Sequence, residues 1–299
     1  METNVKIGAV VIAVILLAAG AVMLADTSEA EKIEYGGTVL NEGGFLGLAV
    51  SNYTATELGI TSIADLKDHA AAFDSKIVGI DAGAGIMTMA QNAIDDYDLG
   101  FTLQTSSEGA MLAALATAIN NDEHVVITMW EPHWAGAQYD YVYLDDPEKS
   151  FGEAESIESW TRPGLAADEP IVAELLGNYE YTSEQFAEML EFIENHPGTD
   201  YVAAGEWLEN NTALLNTWLG DIVFEADRGE VTIGLVSWAC AMGTTHVLAN
   251  ILETHVGYDV NIQFVDAGIM YAGLYQGEID LITTAWVPAT HGAYMDRYA

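Results

Sequence analysis

Beyond residue 35 the chain alternates between two hydrophobic patterns. Short runs of Val, Ile, Leu and Ala occupy 45–50, 76–80, 101–104, 124–129, 141–144, 231–236, 261–265 and 280–284. Their length and content predict buried strands. The stretches between them carry apolar residues at helical spacing. Ser62 and Asp65 form a capping-box pattern that predicts a helix over 63–73. Thr182 and Gln185 open another, with Phe186, Met189, Leu190 and Ile193 on one face. Met111, Leu112, Leu115 and Ile119 make a third stripe, and all these stripes read as core packing. Segment 170–219 is helix-rich. Strands separated by helices predict an α/β protein with mostly parallel sheets. In such sheets ligands bind beyond the carboxyl ends of the strands.

The N-terminus departs from this pattern. Residues 8–25 are uncharged and follow Lys6. That run approaches the roughly 20 residues that span a bilayer and exceeds a signal-peptide core of about 7–15. Residues 1–35 therefore read as an uncleaved signal anchor with a polar linker at 26–34; a cleaved signal, cut after Ala30, is the alternative. The run has no cysteine for lipidation and no twin arginine. The positive leader predicts that the rest of the chain lies on the outer face of the cell membrane.

Charge narrows the partners. The chain has 46 acidic and 8 basic residues among 299, a net charge of −38. Such a surface repels nucleic acid and anionic lipid. It suits molar salt, where the Debye length is about 3 Å, so the acids read as a halophile's solvated surface. The lone Cys240 forms no intrachain disulfide or CxxC site. The histidines do not cluster as metal ligands. No HExxH or GxSxG hydrolase motif is present. No cofactor, metal or catalytic residue is expected.

Three tryptophans carry the candidate chemistry. Trp130, Trp238 and Trp286 each follow an apolar run and so stand at the mouth of a sheet. Indole faces attract a cation that has no N–H to donate, at roughly 0.5–2 kcal/mol each. The turn Asp81-Ala-Gly-Ala-Gly-Ile86 ends a strand and opens a helix. Free N–H groups there make an anion seat, better sized for a carboxylate than for a nucleotide, because the third glycine and the Walker lysine are missing. His291 lies five residues past Trp286. With Pro288 in the first helical turn it falls near a helix start and can donate to the same carboxylate.

Taken together, GIDAGAGIM (79–87), ITMWEPHW (127–134), YVYLDDPEKSFGEAESI (141–157), the segment 235–294 and LGLAVSNY (46–53) with ITSIADLKD (60–68) resemble the OpuAC/ProX family, the substrate-binding proteins of glycine betaine ABC transporters. The resemblance implies a two-lobed periplasmic-binding-protein-like fold of type II, closing by a hinge. One lobe is expected at 36–61 plus 141–299 and the other at 62–140. It implies a cage of Trp130, Trp238 and Trp286, with the N–H groups of Gly85 and Ile86, helped by His291, on the ligand carboxylate. The implied ligand is glycine betaine or proline betaine, with choline, carnitine and ectoine left open. The implied partners are an ABC permease and its ATPase subunit; a chemotaxis transducer is the alternative. The order of the segments looks circularly permuted, which would bring the region of Tyr35 beside the C-terminus. Two departures stand out: Ala82 replaces a frequent proline, and Ala-Cys-Ala-Met follows Trp238 where members often carry a polar residue.

Overall fold

The structure, a computed structural model, describes residues 32–299. The expected membrane span at 8–25 lies outside the described residues, among which no helix is long and apolar enough to cross a membrane. Nine strands form one sheet in the order β3-β2-β4-β1-β6-β9-β7-β8, with β5 also on β1. They are β1 (Glu34–Ser51), β2 (Lys76–Val78), β3 (Thr102–Gln104), β4 (Val126–Glu131), β5 (Tyr141–Tyr143), β6 (Glu155–Thr161), β7 (Glu230–Leu235), β8 (Asp259–Phe264) and β9 (Leu281–Val287). Helices pack on the sheet, four of them from Pro170–Asn178 to Thr212–Leu219. Both predicted capping boxes are made, at Ser62/Asp65 and Thr182/Gln185. The first opens a 3-10 helix over Ile63–Phe73.

The sheet is mixed, which corrects the expectation of mostly parallel sheets. The pairs β2–β3, β2–β4, β7–β8 and β7–β9 are parallel. The pairs β1–β4, β1–β5, β1–β6 and β6–β9 are antiparallel. The antiparallel centre rests on two stretches that the apolar pattern did not reveal. In β6 the inward positions are Glu155, Ile157, Ser159 and Thr161, and three of those four are polar. The first half of β1 is glycine-rich because its neighbours approach closely. A Cβ on Gly37 would collide with the Leu176 carbonyl.

The strand β1 spans both sides of the sheet. Its first part pairs with β6 from Glu34 to Gly44, and its second pairs with β4 and β5 from Phe45 to Ser51. Thus 45–51 and 141–143 are hydrogen-bonded to the side that carries β2, β3 and β4. The start of the described chain meets its end: Ile33 N–H donates to the Tyr298 carbonyl at 2.9 Å.

Candidate functional site

Trp130, Trp238, Trp286, Gly85, Ile86 and His291 line one small cavity, together with Leu46, Ile80, Ala84, Cys240 and Thr290. Trp130 and Trp286 belong to strands β4 and β9 rather than to the turns after them. Trp238 is the N-cap of the helix Ala239–Ile251. All three indoles are buried, at 4%, 6% and 3% exposure for Trp130, Trp238 and Trp286. Gly44 lets Trp286 lie against β1, because a Cβ there would meet the indole at 2.6 Å.

The turn expected to seat an anion leads into the helix Gly85–Asp96. Its N-cap Ala84 offers no side-chain bond, so the N–H groups of Gly85 and Ile86 have no partner within the turn. Both residues line the same cavity. Gly85 is needed because a Cβ would collide with the Thr290 carbonyl. The loop from the far end of the chain thus touches the first helical residue.

That loop, 286–291, is held at several points. Trp286 N–H donates to His291 Nδ1 at 2.9 Å, and His291 N–H donates to the Trp286 carbonyl at 2.9 Å. Glu155 accepts from the N–H of Ala289 at 3.2 Å, and from the N–H and hydroxyl of Thr290 at 3.1 and 2.8 Å. Pro288 sits in the turn and the helix starts only at Gly292, a correction to the expected helical position of Pro288; His291 is the N-cap.

His291 is fully buried, stacked on Trp238 with ring centres 5.7 Å apart and edge-on to Tyr271 at 5.6 Å. Burial pushes its pKa down to about 3, so the ring is neutral. Because Nδ1 accepts a backbone N–H, the proton sits on Nε2. That Nε2 is buried without a hydrogen-bond partner, as is Trp130 Nε1. An orphaned donor costs about 1–3 kcal/mol, and both belong to residues of the cavity wall. Cys240 fits its expected role of small filler: it is buried, and burial raises its thiol to about 12, far from a reactive thiolate.

Sequence reasoning did not single out Glu155, Thr290, Tyr271, Glu108 or His133. Glu155 and Thr290 stood inside matched segments, but a glutamate in so acidic a chain carries no signal of its own. Burial separates them: among the described residues only Glu108 and Glu155 are buried acids. Among the described residues, no group of His, Cys, Asp and Glu is arranged to hold a metal ion.

The chain is similar to known proteins along most of its length. Residues 19–210 and 229–299 match OpuAC, the substrate binding domain of the ABC-type glycine betaine transport system. The glycine betaine/carnitine transport binding protein GbuC of Listeria monocytogenes serotype 1/2a (strain 10403S) is 37% identical over 236 residues, 78% of this chain and 77% of that protein. Among solved structures, the glycine/betaine/L-proline-binding protein ProX of Borrelia burgdorferi aligns with a TM-score of 0.59 and 31% identity, covering 64% of this chain and 71% of that one. Lactococcal OpuAC, in its closed-liganded conformation complexed with glycine betaine, aligns with a TM-score of 0.56 and 30% identity, covering 62% and 70%.

Proposed function

The chain belongs to the OpuAC family of substrate-binding domains of ABC-type glycine betaine transport systems, and from that premise we propose that it captures glycine betaine, or a close quaternary ammonium relative, between Trp130, Trp238 and Trp286 and delivers it to an ABC importer. It is a binding protein and not an enzyme, as its relatives are. One observation carries the reading. On a chain of net charge −38, no wall residue of the cavity is an Asp, Glu, Lys or Arg.

A simple cation would be held by carboxylates, and a simple anion by Lys or Arg. A wall of three indoles with N–H donors at Gly85, Ile86 and His291 suits a ligand with both charges and no net charge. The indole faces take the trimethylammonium end, at roughly 0.5–2 kcal/mol each. The helix N-terminus and the His291 Nε2–H take the carboxylate, by charge-assisted bonds. Sodium and potassium are strongly hydrated and gain little from indole faces, so the cage discriminates against them in salt.

In this reading the fold has two lobes that close over the ligand. The boundary falls at Gly44 within β1 and between β5 and β6. Residues 45–61 and 141–143 then join the lobe of β2–β4, a shift from the sequence-based division. Trp130, Gly85 and Ile86 come from that lobe, and Trp238, Trp286 and His291 from the other. The bond from Ile33 to Tyr298 supports a circularly permuted order, since permutation joins neighbouring ends. The binding part works at the outer face of the membrane, with residues 1–35 as its anchor; sequencing the N-terminus of the mature protein tests this.

The experiment is a tryptophan fluorescence titration in molar salt with glycine betaine, proline betaine, choline and carnitine. Saturable binding of glycine betaine is expected. No response to any of the four contradicts the cage.

A further inference from the structure

Glu108 is buried, at 8% exposure, where an acid of this chain would ordinarily sit in water. It opens the helix Glu108–Asn121, which connects β3 to β4. Its Oε2 accepts the N–H of Ala239 at 2.9 Å. Ala239 is the first residue of the helix Ala239–Ile251, on the far side of the site, and that helix has no side-chain cap of its own because its N-cap is Trp238. Glu108 therefore occupies the place of the missing cap, but from 131 residues away in sequence. A carboxylate at a helix N-terminus satisfies a free N–H and meets the positive end of the helix dipole.

The other oxygen of Glu108 faces His133. His133 Nδ1 accepts the N–H of Ala135 at 2.9 Å, so its proton sits on Nε2, which donates to Glu108 Oε1 at 3.2 Å. His133 in turn stands edge-on to Trp130, with ring centres 4.9 Å apart. The chain of contacts runs Trp130, His133, Glu108, Ala239, Trp238. It joins one wall of the cavity to the opposite wall without passing through the ligand.

We propose that Glu108 is a positioning residue for ligand capture, which bridges the two sides by capping the Trp238 helix only when the cleft is shut. The proposal rests on the two-lobe reading above. Opening the cleft removes the Ala239 N–H from Glu108 and exposes both groups to water. Closing restores the bond and sets Trp238 at a fixed distance from Trp130. Glu194 and Asp200 share a neighbouring surface hollow with Glu108 and Ala239. Closure thus gathers three acids, and the helix N-terminus with the His133 donor offsets their repulsion.

The test uses Glu108→Ala and Glu108→Gln in the full chain, with glycine betaine as probe. Losing a charge-assisted bond made only on closure weakens binding on the order of 10- to 100-fold. The loss should lie in faster dissociation, read by stopped-flow fluorescence, with the melting temperature of the unliganded protein unchanged. Glu108→Gln keeps one acceptor but meets His133 with a donor, so it should fall between wild type and Glu108→Ala. It carries the test if the alanine variant does not fold. Affinities within twofold of wild type overturn the proposal. So does a loss of affinity matched by an equal fall in unliganded melting temperature, since that marks a merely structural role. If the wild type binds no quaternary ammonium, the functional reading fails and the proposal falls with it; a wild type that binds, with variants that match it, overturns the proposal alone.

Discussion

At the residue scale the site depends on which nitrogen of His291 carries a proton. The backbone N–H of Trp286 occupies Nδ1, and burial keeps the ring neutral, so Nε2 is always a donor. Two outcomes follow. Betaine affinity should be flat from about pH 5 to 8, because His291 does not titrate there; a fall centred near its ordinary value of 6.5 would contradict the assignment. Stability should respond differently. Below pH 6.5 the unfolded chain protonates this histidine, whereas the folded one waits until about 3. The unfolded state binds more protons in that window, so stability drops as pH falls through it, by at most about 1.4 kcal/mol per pH unit. Urea midpoints of wild type and His291→Asn should converge as pH is lowered from about 6 to 4. Among the indoles, Trp286→Ala should abolish most betaine affinity in the fluorescence titration, since it also opens the wall against Gly44.

At the element scale the loop 286–291 is a clamped turn. The buried Glu155 carboxylate holds Ala289 and Thr290. Glu155→Ala removes the bonds from Ala289 and Thr290 to a charged group, and such a bond contributes about 1.5–3 kcal/mol; chemical denaturation should report a loss of that order, with weaker betaine binding. Gly85→Ala makes a contrasting case. Its Cβ collides with the Thr290 carbonyl only while the loop rests on the helix. It should therefore cost affinity tenfold or more, read by calorimetry, yet leave the unliganded melting temperature nearly unchanged. The strands with continuous apolar runs, such as β4 and β7, were legible in the sequence because both their faces are buried. The strand β6 was not, because Glu155, Ser159 and Thr161 fill its inward positions with groups that are satisfied only by partners far along the chain. The three tryptophans that line the cavity were legible because each stood in its own short motif. Glu108 was not, since only the fold shows that it is buried.

At the scale of the whole molecule, charge and sheet order set the behaviour. A net charge of −38 repels itself over about 10 Å at 0.1 M salt and about 3 Å at 1 M. Melting temperature should rise steeply between those salt concentrations, and an unchanged value would remove the case for a salt-adapted surface. The α/β class was legible from alternating patterns, but the antiparallel centre of the sheet was not, since β1 and β6 pair across 155–161 and 34–44 with little apolar periodicity. The central claim is that an uncharged cavity holds a cation by aromatic faces. Isothermal calorimetry in molar salt, comparing glycine betaine with 3,3-dimethylbutanoate, tests it most directly. The second compound keeps the carboxylate and the shape but replaces the ammonium nitrogen with carbon. If three indole faces contribute roughly 0.5–2 kcal/mol each, betaine should bind at least tenfold more tightly. Equal affinities would contradict the cage.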